Sequence, residues 1–138
     1  MTADSARNLK IGTLKLANPL VLAPLSGISD LPFRLLSREQ GCALVFTEMI
    51  SAEGLSRKVS ATLKLLNSLP EERPLGVQIF GPKPEILAEG ARVIEGWGGD
   101  LIDINMGCPV RKVVHGGSGA ALLKEPGRIR KILKAVRK

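Results

Sequence analysis

The sequence predicts an α/β protein built on a parallel sheet, and two observations predict it. Short runs rich in Val, Ile and Leu alternate with segments of helical period. The alternation repeats four times, at a spacing of about 25–30 residues, the size of a βαβ unit. Residues that break strands and cap helices (Pro, Gly, Ser and Asp) stand at the junctions. Repeated βα units require a parallel sheet covered by helices.

Each element follows in order. Leu9 to Ala17 reads as a small hairpin turning at Gly12. The first apolar run is Pro19 to Leu25, followed by the N-cap candidates Ser29 and Asp30, by Pro32 in a first helical turn, and by Gly41 as the helix stop. The second run is Ala43 to Met49, and its helix carries Val59, Thr62, Leu63 and Leu66 at helical spacing. The third run, Leu75 to Phe80, closes at Gly81-Pro82. Its helix places Ile86, Gly90, Val93, Ile94 and Trp97 on one face and ends in Gly96, Gly98 and Gly99. The fourth run, Leu101 to Met106, leads into a Gly-rich loop and a last helix with Ile129, Ile132, Leu133 and Val136 on one side. An open doubly wound sheet and a barrel both fit this order. The turn after the first run, Ala23-Pro24-Leu25-Ser26-Gly27, matches neither the dinucleotide fingerprint nor a phosphate-binding P-loop.

Composition narrows the function classes. The 138 residues hold 44% apolar side chains, too many for a disordered chain, and two cysteines, too few for a disulfide scaffold. No apolar run approaches the length of a membrane span, and Met1 to Lys10 lacks the apolar stretch of a secretory signal. A cytoplasmic protein with reduced thiols is the expectation. Twenty Lys and Arg against thirteen Asp and Glu leave a net charge of +7, which permits an anionic partner. Seven of the basic residues fall between Lys124 and Lys138, interleaved with the apolar stripe of the last helix, as on a solvated helix face. Aromatic residues make up only 3%, so a stacking platform for single-stranded nucleic acid is not supported.

Functional groups in a parallel sheet gather at the carboxyl ends of the strands, and polar residues fall there. The second run ends with Glu48, the third carries Gln78, and the fourth carries Asp103 and Asn105 and then reaches Cys108. Alternation puts Ile102, Ile104 and Met106 on one face and Asp103 and Asn105 on the other. Asp103, nearer the middle of its strand, reads as a core carboxylate with internal partners. Gln78 and Asn105 read as functional amides, whose donors and acceptors suit a planar heterocycle. Glu48 fits either reading. Cys108, between Gly107 and Pro109, presents a thiol on a turn among polar groups, whereas Cys42 reads as a small core residue. His115, the only histidine, reads as a surface residue, and its spacing from Cys108 matches no metal site. Arg111 and Lys112 stand beside Cys108, where a phosphate backbone can be met.

Four stretches carry a further signal: Ala23 to Asp30 with Pro32-Phe33-Arg34; Thr47-Glu48-Met49; Val77 to Gly81; and Asp103 through Leu123, which reads D-I-N-M-G-C-P and continues through Val113 to Gly119-Ala120. They resemble the tRNA-dihydrouridine synthases, most closely the bacterial DusB-like branch, in the family's own order. The resemblance implies an FMN-bearing (β/α)8 TIM barrel with a small helical domain behind it. It implies reduction of the 5,6 double bond of particular tRNA uridines: NADPH reduces FMN, the flavin N5 passes a hydride to C6, and a cysteine protonates C5. By resemblance Cys108 is that proton donor. An ordinary thiol is mostly protonated at neutral pH and can serve as an acid. By the same resemblance Pro24, Leu25, Ser26 and Gln78 bind the cofactor, Asn105 orients the target uracil, and Arg111 and Lys112 meet tRNA phosphates; Glu48 is counted with Asn105, Arg111 and Lys112 as substrate-binding.

A whole barrel needs about 250 residues, so residues 1–138 are expected to be its N-terminal (βα)4 half, preceded by a short β-hairpin and cut after the fourth unit. The helical tRNA-binding domain is then absent. On this reading the whole protein is a monomer without metal or membrane, and the chain alone is inactive and binds FMN weakly. Another FMN barrel of dihydroorotate-dehydrogenase type is the second reading, because such proteins also place Asn and Cys or Ser near a strand-four end. A non-catalytic half-barrel that dimerises or binds RNA is the third.

Overall fold

The computed structural model describes residues 9–137. The polar start, Met1 to Asn8, and Lys138, the last of the basic run, lie outside them. The expected hairpin is present: β1 (Lys10–Ile11) pairs antiparallel with β2 (Leu14–Lys15), and Gly12 takes the positive φ (+59°) of the tight turn.

The first apolar run pairs at one point only, a parallel bridge between Val21 and Leu44. The strand expected over 19–25 is reduced to this bridge for two reasons. Pro19 and Pro24 lack the N–H a ladder needs, and the Ser29 hydroxyl engages both the N–H and the carbonyl of Leu25. Helix α1 (Leu31–Glu39) starts where expected, with the Asp30 side chain accepting from Phe33 N at 3.1 Å and Pro32 in the first turn.

Of the second run, expected over Ala43 to Met49, only β3 (Val45–Phe46) is strand; a further strand, β4 (Ile50–Ser51), starts just past the run's expected end, and both are parallel to β5 (Leu75–Phe80). β6 (Leu101–Ile104) occupies the other edge of β5 over Gly76 to Ile79. β3 and β4 are therefore two pieces of one interrupted strand. Phe46 pairs with Gly76, and Ile50 pairs with Ile79, so four steps on one strand span three on its partner. The extra residue is a bulge at Thr47–Met49.

The stripe expected at Val59, Thr62, Leu63 and Leu66 is corrected by the structure. Two short helices, α2 (Ala52–Ser56) and α3 (Ser60–Lys64), replace one continuous helix, because the chain turns between them with Lys58 at positive φ (+53°). Leu55 and Leu66 enter the core, while Val59 and Leu63 are exposed. Helix α4 (Pro84–Trp97) follows the third run as expected and stops at Gly98 in the left-handed region (φ +93°), with Gly96, expected at its end, still inside it. A short α5 (Arg111–His115) and a 3₁₀ turn (Gly119–Lys124) precede α6 (Pro126–Val136). In α6, Ile132 is buried and Ile129 and Val136 pack against the core, but Leu133 is 51% exposed and leaves the expected stripe.

Neighbouring strands thus follow chain order, all parallel: the Val21 bridge, β3/β4, β5, β6. Among the described residues the strand order does not reverse, as it does in a doubly wound sheet. Val77 and Ile79 join Leu55, Leu87, Ile94 and Ile132 in one buried cluster, with Ile102, Ile104 and Met106 packed against it. That face is covered by α2, α4 and α6. On the opposite face the hairpin's Leu14 and Leu16 pack with Leu44, Phe46 and Leu101 at the amino ends of the strands. Gly76 makes room there, since a side chain would overlap the Phe46 ring. This apolar floor leaves the carboxyl ends of the same face to polar residues. No helix among the described residues is long and apolar enough to cross a membrane.

Candidate functional site

Strand register brings three of the expected polar residues into one hydrogen-bonded chain. Gln78 and Asp103 are cross-strand partners, and the Gln78 Nε2 donates to Asp103 Oδ2 at 2.5 Å. Asn105 Nδ2 donates to Gln78 Oε1 at 3.0 Å. Asn105 Oδ1 accepts from Gly107 N at 3.3 Å and Cys108 N at 3.0 Å, closing an Asx turn that leads the chain out of the sheet. Gln78 is buried, while Asp103, Asn105 and Cys108 are half-buried. The main chain of Gln78 is held from the other side, where the ladder is interrupted: its N–H donates to the Thr47 hydroxyl at 3.2 Å.

The Cys108 turn rests on a second support. Ala120 N donates to Cys108 O at 3.0 Å, and Gly119 lies beneath at φ +58°. A β-carbon at Gly119 would come within 2.6 Å of Cys108 O and 2.9 Å of a Val113 methyl. The Gly119-Ala120 pair is therefore the seat of the cysteine's carbonyl, and a larger residue at 119 would displace it. Arg111 and Lys112 open α5 immediately after the turn, and both are exposed.

The first loop forms a second group. Leu25 O accepts from Ile28 N and Ser29 N, which folds Leu25 to Ser29 into a tight turn with Gly27 at φ +75°. Glu48, carried on the bulge, accepts a hydrogen bond from Gly27 N through Oε2. Glu48 therefore holds this loop directly, and its bond is to the chain's own backbone. Leu25 and Ser26 are exposed and Pro24 is half-buried. Among the described residues, no hydrogen bond joins this loop to the Gln78 chain.

Below the loop lies a feature the sequence reading missed. Arg34, 2% exposed, pairs with fully buried Glu72 at 2.5 Å, and its Nη atoms donate to Ser29 O and Asn67 O, each at 2.8 Å. Glu72 Oε1 accepts in addition from Leu69 N. The ion pair ties the end of the first loop to the segment before β5. No local spacing signals it, because the partners lie 38 positions apart. The role of Thr47 was missed for a related reason, while Asp103, read as a carboxylate with internal partners, has such a partner in Gln78, whose identity emerges only once strand register is known.

The unused valences define what the site can bind. Gln78 retains one N–H and one lone pair, Asn105 one N–H, and Asp103 its second oxygen. A planar group with donors and acceptors along one edge fits this set, above an apolar floor. The Cys108 turn is bonded to Asn105 at the end of this set, and two exposed cations, Arg111 and Lys112, follow it in sequence.

The chain is similar to known proteins over nearly all of its length. The family model described as "Dihydrouridine synthase (Dus)" matches residues 21–138. A "Probable tRNA-dihydrouridine synthase" of Rhodobacter capsulatus is 40% identical over 129 residues, covering 93% of this chain and 40% of that protein. "tRNA-dihydrouridine synthase B" of Pseudomonas aeruginosa is also 40% identical, over 93% of this chain and 39% of its own length. A Synechocystis "Probable tRNA-dihydrouridine synthase 1" is 37% identical over 95% of this chain. The chain thus spans about two fifths of the length of the curated relatives it matches.

Proposed function

The chain belongs to the dihydrouridine synthase family, and from that premise we propose that it supplies the cofactor-facing and proton-donating part of an FMN-dependent reductase of tRNA uridines. The carrying observation is the bonded chain from Gln78 through Asn105 to Cys108 at the carboxyl ends of adjacent parallel strands. The sequential strand order supports reading this sheet as the N-terminal (βα)4 part of a (β/α)8 barrel, with the remaining strands supplied by sequence beyond this chain.

The donor set fits FMN: Gln78, with Pro24, Leu25 and Ser26 from the first loop, would hold it. When bound, the flavin supplies the reducing electrons, replenished by NADPH. The chain's own residues do the rest. Asn105, both of whose Oδ1 lone pairs are engaged by backbone N–H groups, offers the target base a donor only. Cys108 sits on a turn fixed at both its N–H and its carbonyl and would donate its thiol proton to uracil C5, which goes from CH to CH₂, the thiolate left behind taking a proton back from solvent. Glu48 acts by holding the Gly27 turn. Arg111 and Lys112, solvated and unencumbered by the turn, meet the phosphate backbone of tRNA.

The test is FMN content, NADPH oxidation and dihydrouridine formation on unmodified tRNA by the whole protein. Flavin-free protein inactive on tRNA overturns the reading, and activity on free dihydroorotate transfers it to the other flavin-barrel class. Replacing both Arg111 and Lys112 by Ala is expected to weaken tRNA binding and to flatten its log–log salt slope by about 1.4–1.8, the contribution of two phosphate contacts. An unchanged slope removes them from the RNA interface.

A further inference from the structure

We propose that Asp103 is a positioning residue whose carboxylate holds Gln78, Asn105 and the Cys108 turn as one unit. The inference rests on the site reading above for its functional consequence, and on geometry alone for its structural part.

The strongest observation is the agreement between the two ends of the chain. A carboxylate can only accept, so the end of Gln78 that faces Asp103 must be its NH₂. Two backbone N–H groups can only donate, so the end of Asn105 that faces Gly107 and Cys108 must be its oxygen. Both demands give the same polarity at the central contact, Asn105 Nδ2 to Gln78 Oε1. Neither amide can reverse without leaving a like-for-like contact at one end or the other. The bond from Gln78 to Asp103 ends on a carboxylate oxygen, which makes it the charge-assisted bond of the chain.

Asp103 has no other evident occupation. None of the four ion pairs among the described residues includes it. Its only side-chain hydrogen bond among them is to Gln78. A half-buried carboxylate without a cation depends on hydrogen bonds for its tolerance, and Gln78 supplies that bond. Its use here is mechanical: Gln78 is otherwise gripped at its side-chain amide by Asn105 alone. Without Asp103 the long Gln78 side chain regains rotamer freedom, and the Asn105 amide loses the fixed oxygen to which it donates.

The structural part is tested by side-chain amide and backbone NMR of the whole protein. Asp103→Ala is expected to shift the Gln78 and Asn105 side-chain amide signals and the Cys108 backbone N–H. Asp103→Asn, which keeps an acceptor oxygen, is expected to restore them. Signals of Asn105 and Cys108 that ignore Asp103→Ala overturn the proposal. The functional part is read from FMN affinity in a double-mutant cycle. Asp103→Ala is expected to weaken binding about tenfold in the native background, as loss of one charge-assisted bond implies, and to change nothing in a Gln78→Ala background. Additive losses overturn it, because they show Asp103 acting other than through Gln78. If the unaltered protein binds no FMN, the functional reading above fails, and the NMR result still decides the role of Asp103.

Discussion

Glu72→Ala is expected to cost about 3–5 kcal/mol of unfolding free energy, the penalty for leaving a buried charge without its partner. Arg34 is 2% exposed and Glu72 fully buried, so water cannot replace the lost carboxylate. Urea or thermal unfolding of the variant measures the loss, and a change below about 1 kcal/mol, the ceiling for an exposed pair, refutes it. A buried pair of this kind is weak evidence for stability as such, since matched apolar residues often serve as well. The double replacement Arg34→Met with Glu72→Leu is therefore expected to recover part of the stability. It cannot restore the bonds to Ser29 O, Asn67 O and Leu69 N. Recovered stability with weakened flavin binding would show that the pair is there to set the first loop against the strand that carries Gln78.

Cys108→Ala is expected to lower dihydrouridine formation by about 10²–10⁴, the usual worth of a positioned general acid, while leaving NADPH-driven flavin reduction unchanged. The substitution is a clean one here. The turn is held through main-chain atoms, Cys108 N by Asn105 and Cys108 O by Ala120, so removing the sulfur removes no support. Single-turnover kinetics separates the two half-reactions. An undiminished rate of uridine reduction would take the thiol out of the chemistry.

Much of this arrangement was legible in the residues. β5 and α4 were readable because hydrophobic period, Pro and Gly all agree over Leu75–Phe80 and Pro84–Trp97. The alternation in Leu101 to Met106 correctly separated the helix-facing residues from Asp103 and Asn105. Two kinds of information were not readable. One is register: that Asp103 stands opposite Gln78 follows from how β6 slides along β5, which no local spacing encodes. The other is backbone competition. Val59, Thr62 and Leu63 keep a helical period, yet a turn at positive φ in Lys58 ends α2 before that period can act. In the first run, Ser29 outbids the sheet for the Leu25 backbone, so an apolar run that looks like a full strand makes a single bridge.

The bulge at Thr47–Met49 sets a rule of length. Phe46 and Ile50 are an even number of positions apart, and in an unbroken strand they would share a face. Instead Phe46 lies over Gly76 beneath the polar site, and Ile50 joins Ile79 among the helices. The segment shifts the strand by half a pleat, so its residue count is a parity. A substitution at Thr47 or Glu48 removes one bond, to Gln78 N or to Gly27 N, whereas the loss or gain of a single residue would trade the faces. Phe46 or Ile50 would then be on the wrong side of the sheet, and Glu48 would be turned away from the loop it holds. The core and the site are thus bound by a shared numerical condition on five consecutive residues, and neither can be altered in length without the other.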